Sequence, residues 1–298
     1  MAMSTKASFM QAALRHARGA TRSRDDKQHT FAQLERYAKE HTWRSLAPET
    51  LTLKQFKAFI QAQGGTPRSL QNIASHIRAA LKGAGRETAA NAPEWSNAAL
   101  MIASRPGDRT GKHEALTWEK ITAALDKGRP EFCALASLQA ALGLRMEEAL
   151  SVTRADLQAW SRLFGEGRPM LPVRAGTTKG GRPRVISIAP SMESAARGAI
   201  AHAENVFKDG RAFLVPSPNP AAARRQYGRL CAEAGLSGKQ ASHALRYRFA
   251  HDRMRAYLDE GRPEHEALRL LSNDLGHGDG RGRYVKSVYL RGFYEEEG

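Results

Sequence analysis

Four separated segments of the chain carry residues whose types and spacing can do chemistry on an anionic group. The first, Ala141-Leu142-Gly143-Leu144-Arg145-Met146-Glu147-Glu148, supplies an arginine with a carboxylate three residues later. The second, Thr178-Lys179-Gly180-Gly181-Arg182, sets a lysine in a Gly-rich turn, with Arg184 just beyond it. The third, Ser242-His243-Ala244-Leu245-Arg246, has a histidine and an arginine at i, i+3, on one face of a helix. The fourth, Leu275-Gly276-His277, is followed by Tyr284 and Tyr289. A phosphodiester under attack gathers charge on its non-bridging oxygens, and the forked N–H donors of arginine suit such oxygens. Donors fixed in advance around developing charge are usually the largest catalytic term. Arg145 and Arg246 are the candidates for that clamp. His243 can donate to the same phosphate or act as an acid or base. Glu148 lies on the face of Arg145 and can orient it or a histidine. A tyrosine oxygen is a modest nucleophile near its ordinary pKa of about 10, so cations beside it must stabilise the phenolate.

In this order and spacing, over roughly residues 130–292, the segments resemble the catalytic boxes of the tyrosine recombinase and phage integrase family. No single box is specific; their joint occurrence is. The resemblance implies that Arg145 and Arg246 grip the scissile phosphate. It implies that Lys179 reaches into the minor groove and protonates the leaving 5′ oxygen, a step that needs a general acid. It also implies that His277 hydrogen-bonds a non-bridging oxygen. Val285-Lys286-Ser287-Val288-Tyr289-Leu290 resembles the short helix that carries the family's tyrosine, so Tyr289 is the preferred nucleophile. Tyr284, placed at the end of the Gly-rich run 278–283, is the alternative, and that run is expected to be a flexible loop. A 3′-phosphotyrosyl link conserves bond energy, so neither cofactor nor metal is implied. The resemblance further implies a homotetramer on double-stranded DNA, a Holliday-junction intermediate and accessory DNA-bending proteins as possible partners. A type IB topoisomerase-like enzyme and a non-catalytic DNA-binding protein of recombinase descent are the rival readings.

The elements that must hold these residues are mainly helices. Apolar spacing predicts helices over 8–20, 30–42, 52–60 and 69–81, an all-helical bundle that looks like the family's core-binding domain. In it Arg22, Arg24, Lys27, Arg68 and Arg78 are candidate phosphate contacts. Residues 105–112, rich in Gly and Pro, read as a linker. The expected organisation is therefore a core-binding domain over 1–104 and a catalytic domain over 113–298, closing as a two-domain clamp around a duplex. In the second domain, helices are expected over 117–125, 131–142, 154–163, 191–207, 219–234, 240–258 and 263–273. Short strands over 170–174 and 184–188 flank the Gly-rich hairpin connection 177–182. The fold class is thus mainly α with a small antiparallel β-sheet. Arg182 and Arg184, near the hairpin tip, are expected to touch phosphates.

The bulk numbers agree with these readings. The 298 residues are 41% hydrophobic and 26% charged, enough for real cores. Lysine and arginine number 46 against 30 acidic residues, a net charge of +16. Such a field attracts a polyanion, and nucleic acid is the default partner. The excess divides evenly between 1–104 and 105–298, as expected of two basic bodies and not of a basic tail. No run is long and apolar enough for a membrane span, and the N-terminus lacks the apolar stretch of a secretory signal. Cys133 and Cys231 are expected to be buried free thiols. A cytoplasmic, nucleoid-associated protein is the expected setting.

Overall fold

A computed structural model describes residues 4–16, 21–43, 46–104, 112–174, 184–207, 210–217 and 219–295. The chain divides into two compact units, Met1–Gly107 and Asp108–Gly298. Most of the expected linker, residues 105–111, lies outside the described residues. So does the hairpin connection, with Lys179 and Arg182.

The first unit is helical: α1 (Thr5–His16), α2 (Thr21–Glu40), α3 (Leu53–Ala62), α4 (Pro67–Gly83) and the short α5 (Glu87–Asn91). Two of these starts follow from their caps. Thr52 and Gln55 form a reciprocal capping box at α3. Thr66 accepts from the Ser69 N–H at α4, where Pro67 opens the first turn without losing a needed donor. Phe9, Phe31, Leu34, Phe56, Phe59, Ile77 and Leu81 are fully buried in one cluster. Each such side chain contributes about 1.5–3 kcal/mol through its removal from water.

The second unit contains α6 (Trp118–Lys127), α7 (Pro130–Leu142), α8 (Met146–Leu150) and α9 (Arg154–Gly165). Then come β1 (Met170–Val173), β2 (Arg184–Ser187), α10 (Glu193–Phe207), α11 (Pro220–Glu233), α12 (His243–Asp259), α13 (Glu264–Asp274) and α14 (Gly282–Tyr289). Helix α7 is apolar all round and buried, and α10 and α12 pack against it. Gly143 ends α7 in the left-handed conformation, at φ +58, and sends the chain into Leu144 and Arg145. The strands pair antiparallel, with Leu171 opposite Ile186 and Val173 opposite Arg184. Alternation turns Arg184 and Ile186 inward and Val185 outward. Both cysteines are buried and free. Among the described residues, no helix is long and apolar enough to cross a membrane.

Candidate active site

The site is built around one turn. Residues 274–276 leave the C-terminus of α13 and present their carbonyl oxygens to three arginines. Arg184 donates to the carbonyl of Asp274. Arg246 donates to that of Leu275 and, through its other terminal nitrogen, to that of Gly143. Arg145 donates through Nη2 to the carbonyls of Leu275 (2.8 Å) and Gly276 (3.1 Å). Gly276 is needed here on two counts. Its φ is +62, and a Cβ would lie 2.6 Å from Cδ of Arg184.

Glu148, on α8, is fully buried among these guanidinium groups. Its Oε1 accepts from Nη1 of Arg145 at 2.7 Å, and its Oε2 accepts from Nη2 of Arg184 at 2.5 Å. The same carboxylate takes the backbone N–H of Arg145 at 2.8 Å, which fixes the start of the helix. Burial alone would raise the carboxyl's pKa, but Arg184, Arg246 and Arg145 outweigh burial and hold it at about 2. Burial and the neighbouring Arg246 pull Arg184 down to about 10, still charged at neutral pH. Three cations and one anion leave an excess of positive charge. Arg145 keeps part of its side chain exposed, whereas Arg184 and Arg246 lie behind it.

Next to this cluster, the Tyr289 hydroxyl lies 3.3 Å from Nε2 of His277 and 3.5 Å from Nε2 of His243. The guanidinium of Arg246 sits 5.6 Å from the Tyr289 ring centre. Burial, reinforced by Arg246, His113 and Arg145, pushes His243 down to about 3, so its imidazole is neutral at physiological pH. Two imidazole nitrogens thus bracket a phenolic oxygen, and each can share a hydrogen bond with it. Tyr284 also reaches this group: its ring meets His277 edge-on at 5.1 Å and stands 6.3 Å from the Tyr289 ring. Among the described residues, no group of three His, Cys, Asp or Glu could hold a metal ion.

Sequence reasoning named the residues that converge here: Arg145, Glu148, His243, Arg246, His277, Tyr284 and Tyr289. Other expectations need correction. Arg184 is not a surface phosphate contact; the strand's alternation buries it against Glu148 and Asp274. Lys27 is only 5% exposed, and burial lowers its pKa. Arg78 is committed to the carbonyl of Trp95 and to Oδ1 of Asn97, both at 2.7 Å, so it braces the first unit. Arg24 and Arg68 are exposed, and the side chain of Arg22 is not among those described. The run 278–283 is not simply a loop. Gly282 and Arg283 open α14, so Tyr284 sits in the first turn of the helix that ends at Tyr289. Ser272 Oγ donates to the Gly278 carbonyl at 2.6 Å, and Asn273 Nδ2 donates to Asp279 at 2.9 Å.

Asp274 and Tyr247 are among the groups that sequence reasoning missed. Asp274 immediately precedes Leu275-Gly276-His277 and accepts from Nε of Arg253 (3.0 Å) and from the Tyr257 hydroxyl (2.7 Å). It thereby anchors the turn that holds the arginines. Tyr247, one turn after His243 on α12, packs its ring 4.8 Å from that of Tyr289. Helical spacing from His243 was the available signal for it.

A family model described as Integrase matches residues 99–252, more than half of the 298. The chain belongs to the tyrosine recombinase and integrase family. The match includes the Arg145 and His243–Arg246 boxes and stops before Tyr289. The fold of this integrase is also that of solved relatives. A lambda integrase tetramer bound to a Holliday junction matches with a TM-score of 0.57 at 15% identity, over 94% of this chain and 75% of that one. The XerH site-specific recombinase, bound to palindromic difH substrate in a post-cleavage complex, matches at 0.53 and 16%, over 92% and 78%. The Tn1549 transposon integrase in complex with transposon right end DNA matches at 0.52 and 16%, over 98% and 95%. No curated protein matches the integrase.

Proposed function

We propose that this integrase is a site-specific DNA recombinase that cleaves and rejoins strands of double-stranded DNA through Tyr289. The observation that carries the reading is the Tyr289 hydroxyl lying between His277 and His243, with Arg246 beneath the ring and Arg145 alongside. The tyrosine oxygen bonds to the scissile phosphorus, and its proton passes to a bracketing imidazole. The bond from phosphorus to the 5′ oxygen breaks, leaving a 3′-phosphotyrosyl link and a free 5′-hydroxyl once that oxygen takes up a proton. Lys179 is the proposed donor of this proton. The 5′-hydroxyl of a partner strand then gives up its proton to Lys179 and attacks the phosphorus, the bond to Tyr289 breaks, the tyrosine takes its proton back from the imidazole, and a phosphodiester is restored. Arg145 and Arg246 hold the non-bridging oxygens, where charge develops, once the phosphate takes the place of the Gly143 and Leu275 carbonyls on Arg246.

DNA as partner is supported by the net charge of +16 and by the nucleic acid in the solved relatives. Assembly as a homotetramer on DNA, and association with the nucleoid, follow from the same reading. So does the division of labour between a core-binding domain over 1–104 and a catalytic domain over 113–298. Arg24 and Arg68 are the exposed candidates for phosphate contacts in the first.

Tyr289→Phe is expected to abolish the SDS-resistant protein–DNA adduct on a nicked suicide substrate while DNA binding persists. An adduct that survives in Tyr289→Phe and disappears in Tyr284→Phe transfers the role to Tyr284. Relaxation of supercoils without exchange between two sites would reassign the enzyme as topoisomerase-like.

A further inference from the structure

The segment that leads into α6 contributes a residue to the back of the site. The His113 ring meets the ring of His243 edge-on, with centres 5.3 Å apart and planes at 67°. It meets Tyr247 in the same manner at 5.8 Å and 71°. His113 is itself tied down. Its Nδ1 lies 3.0 Å from the carbonyl of Lys239. A carbonyl only accepts, so Nδ1 carries the proton. The next residue repeats the attachment: the Glu114 carboxylate accepts from Nζ of Lys239 at 2.9 Å, and its backbone N–H points at the same carbonyl at 3.4 Å. Lys239 belongs to the turn just before His243, so the segment is fastened to the start of α12 from two sides.

Tyr247 completes the arrangement. A backbone hydrogen bond from His113 reaches its hydroxyl. Its ring stands 5.6 Å from that of His243 and 4.8 Å from that of Tyr289. His113 and Tyr247 therefore wall in the two rings that must meet at the phenolic oxygen. An imidazole turns freely about its last torsion unless packing stops it, and that torsion is broad and only roughly two-fold. Among the described residues, the hydrogen bond of the His243 ring is the one to Tyr289.

We propose that His113, acting with Tyr247, is a positioning residue that holds the His243 imidazole with Nε2 turned toward the Tyr289 hydroxyl. The proposal rests on the strand-transfer reading for its catalytic consequence, but not for the ring geometry. Neither residue touches the reacting atoms. Their effect is on how often the histidine and the tyrosine are aligned, which makes it an effect on the rate of cleavage and not on DNA affinity.

Two measurements on the full chain test this. The first is the single-turnover rate of covalent adduct formation at saturating DNA, beside the dissociation constant. His113→Ala is expected to slow cleavage by about 10-fold or more, within the roughly 100-fold that an ångström of misplacement costs, with binding unchanged. His113→Phe, which keeps the ring wall, is expected to recover part of the rate. Tyr247→Phe, which keeps its ring and loses only the hydroxyl, is expected to show a smaller loss than His113→Ala. Cleavage by His113→Ala at the wild-type rate overturns the proposal, as does a loss of binding in proportion to the loss of rate. The second measurement is the imidazole nitrogen NMR spectrum of the protein without DNA. In the wild type His243 is expected in one tautomer, and in His113→Ala as an averaged signal. An unchanged His243 signal in that variant overturns the clamp even if the wild type forms no adduct. Absence of adduct in the wild type, with the signal changed as expected, refutes strand transfer and leaves the clamp standing.

Discussion

Glu148 is the residue on which the cation cluster depends. Among the described residues it is the one carboxylate paired with both Arg145 and Arg184, and its side chain is fully buried. Removing one member of a buried ion pair strands the other, which typically costs about 3–5 kcal/mol. Glu148→Gln is therefore expected to lower stability by that order in urea denaturation, and to slow cleavage by freeing Arg145. A variant as stable as the wild type would show that the arginines are neutralised in another way. Acid acts on the same group and on two histidines. The folded pKa of His243 is about 3 and that of His251 about 4, both lowered first by burial, whereas unfolded histidine titrates near 6.5. Between those values the unfolded chain binds more protons. The stability these residues contribute is complete above pH 6.5 and is lost as pH falls toward 4 and 3, by up to about 1.4 kcal/mol per pH unit for each group. Glu148 adds a second loss below about 4.5, extending to about 2. Stability measured across pH should fall first in the histidine window, and His251→Leu should flatten part of that fall. A flat profile between pH 7 and 5 would contradict the burial of the two rings.

At the scale of elements, two turns hold the arginine cluster. Gly143 and Gly276 both have positive φ and both face a neighbour too close for a Cβ: the Phe249 ring at 2.3 Å and Arg184 at 2.6 Å. Gly276→Ala is expected to cost about 1–2 kcal/mol from the backbone alone, with more from the displaced Arg184. Adduct formation should suffer well beyond DNA binding. Equal losses of both would mean that the turn serves the general fold. The helices were legible where apolar spacing is regular, as over 131–142 against α7, whereas α2 begins at Thr21 and not at 30 because its first turns are polar; the caps give further local starts. Thr52, Thr66, Thr117, Thr153 and Asn219 each accept from a backbone N–H in the first turn. The catalytic boxes were legible for a similar reason, since His243 and Arg246 need only helical periodicity to share a face. Arg184 was misread although the alternation of β2 was visible, because an arginine is rarely buried unless paired, and its partner Glu148 is 36 residues away. Tyr284 was misread because glycines suggested a loop, yet Gly282 sits in the first turn of α14, where it costs least. Asp274 and His113 were out of reach altogether. Their partners, on α12 and in the turn before it, are brought near only by tertiary packing.

Over the whole molecule, the net charge of +16 implies a binding free energy that depends on salt through released counterions. Individual cations can be sorted by that dependence. Arg68→Ala, at an exposed position, is expected to weaken DNA binding and to reduce the slope of log affinity against log salt by about one. Arg78→Ala should act differently. Its guanidinium braces Trp95 and Asn97, so the loss should be in the melting temperature of the first unit, with the salt slope unchanged. The reverse pattern would exchange the two assignments.

The turn at 274–276 has a further consequence. Its carbonyl oxygens occupy guanidinium protons of the kind a phosphate oxygen would take. On the strand-transfer reading, the turn is a placeholder for the negative charge of a DNA phosphate. On the same reading, an incoming phosphate must displace or share these acceptors, so the gain on first contact is small. The gain grows only as the phosphorus becomes five-coordinate and its oxygens become better acceptors than an amide. A recombinase site arranged in this way would discriminate between an intact backbone and a backbone in the act of breaking, and would leave the task of holding DNA to the rest of the surface.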